Sequence, residues 1–265
     1  MFPEFSFLGI SIPAYGLISF VGFIVAVFFG LWLIGKRNIS KGDFLSVSIA
    51  VGFGVVAGAN FLYALTRIGD ILDAFASFGE YGSLWEFIEY LYTICGGMVF
   101  YGGLYGGLIF GALWSKHKKY SLKDMADVFS VLIPLFHTFG RIGCFFAGCC
   151  YGVKAHWGIS GRVITADVKE SSRRIPIQLI EAFFVFCLFI VILWLFSKKI
   201  ARGKLIYIYL LIYAVLRFVL EFFRGDEIRG HFLVFSTSQW ISVFTLLWVS
   251  IYLLITKTRK QKFHI

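Results

Sequence analysis

Seven stretches of about 20 mostly apolar residues, roughly 14–34, 45–66, 94–114, 125–147, 176–196, 205–224 and 235–256, leave this chain few ways to fold. Each is long enough to cross the hydrocarbon core of a bilayer, about 30 Å thick. A backbone inside lipid must satisfy its own N–H and C=O groups, which a helix does. The composition agrees: 59% of residues are hydrophobic and only 15% charged. The chain is therefore expected to be an all-α integral membrane protein of seven transmembrane helices, forming one domain over residues 1–265. The first fourteen residues, MFPEFSFLGISIPA, carry no positive charge, so the first stretch is expected to be a span and not a cleaved leader.

The charges give an orientation. With the N-terminus outside, the inward segments are 35–44, 115–124, 197–204 and the tail after 256. They hold fifteen of the 25 Lys and Arg residues and only two acids, Asp43 and Asp124. The outward segments hold eight basic residues and ten acids. Basic loops mark the cytoplasmic side, so an N-out, C-in topology is expected. The net charge of +10 is thereby accounted for, and no nucleic-acid partner is expected. Two outward segments, about 67–93 and 148–175, exceed simple turns and are expected to be extracytoplasmic arms. The first is expected to carry an amphipathic piece at the interface, and the second reads as irregular.

Ionisable groups inside spans are rare and mark pairs, cavities or functional sites. Here they are Asp127, Arg141, Glu181, Arg217 and Glu221, with Arg224 at an edge. A rise of 1.5 Å per residue puts Arg141 about 24 Å above the inner face, Arg217 about 18 Å and Glu221 about 24 Å. Glu181 lies near the outer end of the fifth span, Tyr15 opens the first from outside, and Tyr101 sits about 10 Å below the outer surface. Arg217 and Glu221 share a helix face at i,i+4 and can pair. With Arg224, the arginines outnumber the local acids and call for an anion, and a guanidinium suits a phosphate. Asp127 stands alone near the inner face and reads as a helix N-terminal carboxylate.

The densest motif is HTFGRIGCFFAGCCYG at 137–152. Its cysteines, Cys144, Cys149 and Cys150, match no zinc spacing and are read as small packing residues, so no metal or cofactor is expected. His137 reads as a polar packing group. In the second and third spans, Gly54 and Gly58 and then Gly102, Gly103, Gly106, Gly107 and Gly111 offer close helix contacts.

Five segments in order resemble bacterial prolipoprotein diacylglyceryl transferases: YGLISFVGF at 15–23, GGMVFYGGLYGG at 96–107, GRIGCFFAGCCYG at 140–152, RIPIQLIEA at 174–182 and RFVLEFFRGD at 217–226. The resemblance implies an enzyme of the bacterial plasma membrane with its site towards the outer leaflet. Such an enzyme moves the diacylglyceryl group of phosphatidylglycerol to the lipobox cysteine of a prolipoprotein signal peptide, making a thioether and releasing glycerol phosphate. It implies catalytic roles for Arg141, Arg217 and Tyr101, and substrate-binding roles for Tyr15, Arg141, Gly152, Gln178, Glu181, Glu221 and Arg224. The chain departs from the family pattern at Tyr101, where a histidine is usual, at Cys144 and Cys149, where an asparagine and an acid are usual, and at Asn60, where an arginine is common. These departures leave open a different acceptor, or a lipid-binding protein without chemistry.

Overall fold

A computed structural model of the chain describes residues 4–7, 10–164, 169–225, 231–232 and 234–262. Asp167, Asp226, Glu227 and Arg229, counted above among the outward charges, lie outside these residues. The chain forms two compact units, one of Asn38–Met125 and one of Met1–Arg37 with Ala126–Ile265.

In the Met1–Arg37 and Ala126–Ile265 unit, a short antiparallel ribbon of β1 (Glu4–Phe7) and β2 (Ile10–Pro13) leads into α1 (Ala14–Ile34). In the Asn38–Met125 unit follow α2 (Lys41–Thr66), α3 (Ile68–Ala76), α4 (Leu84–Cys95) and α5 (Phe100–His117). The long α6 (Leu122–Ala147) begins there and runs on into the first unit. That unit continues with the ribbon β3 (Lys154–Ile164) and β4 (Lys169–Arg174), α7 (Ile177–Ser197) and α8 (Leu205–Glu221). It ends with the ribbon β5 (His231–Phe232) and β6 (Phe235–Ser236) and then α9 (Thr237–Lys262).

Among the described residues, five helices are long and apolar enough to cross a membrane: α1 with its following turn, α2, α6, α7 and α9. A sixth span arises if α4 and α5 are taken together, although they meet at a bend of 97°. The span expected at 94–114 is thus broken, and its regular part starts at Phe100. The break falls on Gly96 and Gly97, and a Cβ on Gly97 would enter the ring of Tyr63. Its freed backbone is partly satisfied by α2, because the Val99 N–H donates to the Ala59 carbonyl at 3.2 Å. With 17 residues, or about 26 Å, α8 is shorter than these five spans.

Local sequence starts several helices. Ser40 accepts from the Asp43 N–H at 3.0 Å to open α2, and Ser83 accepts from the Glu86 N–H at 3.2 Å to open α4. Ser236 and Gln239 exchange bonds of 3.3 and 3.0 Å to open α9, a reciprocal capping box. The 67–93 arm is helical, with Ala74, Phe87 and Ile94 forming a small apolar cluster between α3 and α4. The 148–175 arm is not wholly irregular, since β3 and β4 pair from Ile164↔Lys169 to Ile159↔Arg174 before a bulge.

The two glycine stripes pack on each other. A Cβ on Gly58 would meet the Gly102 carbonyl oxygen, and one on Gly106 the Gly54 carbonyl oxygen. Because the obstacle is backbone, Gly106→Ala is expected to cost at least about 1–3 kcal/mol by overpacking. Its readout is a lower melting temperature in detergent, and an unchanged one would show that α2 and α5 do not meet this closely.

In the other unit, Tyr209, Tyr213, Phe196, Ile192, Leu33 and Val128 fill the core. Asp127 does not act as a helix N-terminal carboxylate. It lies inside α6, fully buried, and accepts from the Gly203 N–H at 2.9 and 2.8 Å while facing Arg37 at 3.5 Å. Gly203 adopts φ 75°, which lets the α7–α8 turn present that N–H to a buried carboxylate. Large apolar side chains on the helices, among them Phe28, Ile49, Phe53, Phe61 and Leu254, are mostly exposed, as lipid-facing residues would be.

Candidate active site

Four helices of one unit bring a buried ionic network together. Glu181, on the first turns of α7, is 1% exposed and lies at its centre. One of its oxygens, Oε1, is 3.0 Å from Arg141 Nη2 of α6 and accepts from the Tyr213 hydroxyl of α8 at 3.1 Å. The other, Oε2, lies 3.6 Å from Arg217 Nη1 of α8. Arg217 also grips Glu221 one turn further along, and its Nη2 donates to Ser238 of α9 at 3.3 Å. Glu221 accepts from Ser236 at 2.8 Å and faces Arg224 at 3.9 Å.

Three guanidinium groups therefore face two carboxylates. His137 adds no charge of its own: its Nε2 accepts from Arg141 Nε at 3.2 Å, which assigns the imidazole as neutral, with its proton on Nδ1. Its 3.7 Å approach to Glu181 is then not an ion pair. The network keeps one positive charge in excess where burial makes charge costly, a setting that favours an anion.

A backbone clasp holds Arg224 at the edge. The Gly152 N–H donates to the Ile175 carbonyl at 3.2 Å, the Val153 N–H to Phe223 at 3.0 Å, and the Gly225 N–H to Tyr151 at 2.9 Å. Gly152 and Arg224 form an antiparallel bridge. A Cβ on Gly152 would stand 2.5 Å from the Ile175 oxygen and 3.1 Å from that of Phe223, so only glycine fits. Gly152→Ala is accordingly expected to displace Arg224 and cut activity by about 10²-fold, the cost of misplacing a positioned group by about 1 Å. Wild-type turnover in this variant would remove the clasp from the site.

Of the residues singled out in the sequence, Arg141, Glu181, Arg217, Glu221 and Arg224 belong to this one network. Gln178 adjoins it, its Nε2 donating to the Cys149 carbonyl at 2.7 Å. Tyr15 lies against Gly143 on α6 and is 47% exposed. Tyr101 belongs to the Asn38–Met125 unit, where it is buried on α5 and stacks on Tyr105 at 6.2 Å. Tyr213, Ser236 and Ser238 were not picked out. Tyr213 was legible as i−4 from Arg217, on the same helix face, whereas the serines had no periodic signal. His137 proves to be tied into the ionic network, as its i,i+4 spacing from Arg141 allowed.

The chain matches a family model described as prolipoprotein diacylglyceryl transferase over residues 3–256. A phosphatidylglycerol–prolipoprotein diacylglyceryl transferase of Clostridium tetani is 32% identical, over 97% of this chain and 98% of that protein. A second so named, from Clostridium perfringens, is 31% identical over 90% of this chain and 89% of its own length. One from Helicobacter pylori is 30% identical over 97% and 93%.

Proposed function

The chain belongs to the prolipoprotein diacylglyceryl transferase family, and on that premise we propose that it transfers the diacylglyceryl group of phosphatidylglycerol to the cysteine thiol of a prolipoprotein lipobox. The observation that carries the reading is the buried network of three guanidinium groups and two carboxylates. A phosphodiester supplies the missing negative charge. As the thiolate sulfur bonds to the glyceryl carbon, the C–O bond to phosphate breaks and its electron pair leaves on glycerol phosphate. Charge grows on the phosphate, and positioned arginines in a low-dielectric site stabilise that growth.

Arg141 and Arg217 are assigned to the phosphate. Glu181 and Glu221 hold their guanidinium groups in place, while Arg224, Tyr15, Gln178 and Gly152 complete the lipid-binding wall. The attacking species must be thiolate. Tyr101 keeps the role that the family pattern implies for its position, as a base or as a hydrogen-bonding orienter of lipid. Tyr101→Phe removes both, so undiminished turnover would dismiss them together.

The chain is read as one membrane domain with seven crossings, N-out and C-in, in the bacterial plasma membrane. The basic inward loops support that orientation, which opens the arginine network towards the outer leaflet. The direct test uses purified protein in detergent with labelled phosphatidylglycerol and a lipobox peptide, beside a peptide whose cysteine is serine. The expected result is labelled peptide and equimolar glycerol phosphate, both absent with the serine peptide. Glycerol phosphate without labelled peptide would establish another acceptor, and bound lipid with neither product would leave binding alone.

A further inference from the structure

Cys144, Cys149 and Cys150 take no part in the chemistry above, yet their sulfurs all lie within 4.8 Å of one another. Two features of the backbone bring them there. Helix α6 ends with the Gly148 N–H donating to the Phe145 carbonyl and the Cys149 N–H to the Cys144 carbonyl, both at 3.2 Å. With Gly148 at φ 74°, this is the Schellman pattern, which turns the residue after the glycine back onto the last helical turn. Cys149 therefore meets Cys144. A paired contact of this kind needs only two small apolar groups.

The third sulfur is not explained by the helix end. Cys150 takes φ 57°, a left-handed conformation that costs a residue with a Cβ about 1–2 kcal/mol. Glycine would hold the same turn without that cost. The cysteine there folds a third thiol onto the first two, and none of the three is in the buried core.

We propose that Cys144, Cys149 and Cys150 form a three-thiolate site for one thiophilic divalent cation of the zinc class. Zn–S bonds of about 2.3 Å in tetrahedral geometry set sulfurs about 3.8 Å apart, within side-chain adjustment of the present arrangement. Among the described residues, no fourth His, Cys, Asp or Glu joins the group, so one coordination position is open to water or an incoming thiol. Coordination releases three thiol protons and leaves three thiolates on a divalent ion, one net negative charge. Arg141 lies three residues before Cys144 on the same face of α6, and a guanidinium on that face favours thiolate over thiol. The occupied site also ties the end of α6 to the turn that carries Gly152, and through the Gly152–Arg224 bridge it steadies Arg224.

The test needs no lipid and no peptide, so it stands apart from the transferase reading. Reduced, chelator-treated full-length protein is titrated with Co2+ and then Zn2+. One equivalent of Co2+ with sulfur-to-metal charge-transfer bands, displaced by Zn2+, is expected. Both should vanish in a Cys149→Ser, Cys150→Ser double variant and persist in Cys95→Ser, Cys187→Ser. Absence of the charge-transfer bands in reduced wild-type protein overturns the proposal, whether or not the double variant folds. Bands that persist in a folded double variant overturn it too. A disulfide among the three, with no metal taken up after reduction, would replace the metal site with a redox pair.

Discussion

Replacing Arg217 with alanine is expected to lower diacylglyceryl transfer by at least about 10²–10³-fold, the usual effect of removing one preorganised charge stabiliser. Its side chain is 3% exposed and bridges Glu181, Glu221 and Ser238. Removal cancels the one excess positive charge, so the site loses the feature that draws a phosphate into it. Arg141→Ala should behave alike, since Arg141 Nη2 is the group nearest Glu181, at 3.0 Å. Lysine at position 217 should rescue little: a single ammonium cannot span two carboxylates and a serine as the planar guanidinium does. Initial rates at saturating phosphatidylglycerol, on protein shown to be monodisperse, measure this. Activity surviving in both alanine variants would sink the phosphate assignment and with it the mechanism.

Much of this site was legible because helical spacing is a simple ruler. The i,i+4 relation of Arg217 and Glu221 implies their pairing, and depth counted at 1.5 Å per residue groups Arg141, Glu181, Arg217 and Glu221. Depth also groups Tyr15 and Tyr101 with them, and Tyr101 lies in the Asn38–Met125 unit. What spacing cannot carry is a break in the helix. Length and apolar composition make 94–114 one continuous span, whereas the regular helix starts at Phe100. At the bend, Gly97 lies so close to the ring of Tyr63 that a Cβ would enter it, a long-range contact that spacing does not encode. The two glycine stripes were seen separately, yet their contact is long-range and periodicity holds no information about it. Asp127 looked solitary because its partners, Arg37 and the Gly203 N–H, come from two distant turns. The cysteines show the same limit. A C-x4-C-C spacing resembles no familiar metal motif, and only the left-handed backbone at Gly148 and Cys150 makes the three sulfurs converge.

Glu181 should matter more for stability than any other residue of the site. Glu181→Ala would leave Arg141 and Arg217 buried with only Glu221 between them and Arg224, so three guanidinium groups would share one carboxylate. Breaking a buried pair by deleting one partner costs about 3–5 kcal/mol, because the stranded charge has no water to turn to. The Tyr213 hydroxyl, now donating to Glu181 at 3.1 Å, would lose that bond as well. Glu181→Gln keeps an oxygen for Tyr213 but not the charge, and should fall between wild type and alanine. Thermal unfolding in detergent reads the difference. Added phosphatidylglycerol should restore part of the loss, and should stabilise Glu181→Ala more than wild type, because an anionic lipid supplies the charge that the carboxylate no longer does. Equal stabilisation of both proteins by that lipid would show that its phosphate does not reach Arg141 and Arg217. An unchanged melting temperature in the alanine variant would show that Glu181 does not neutralise them.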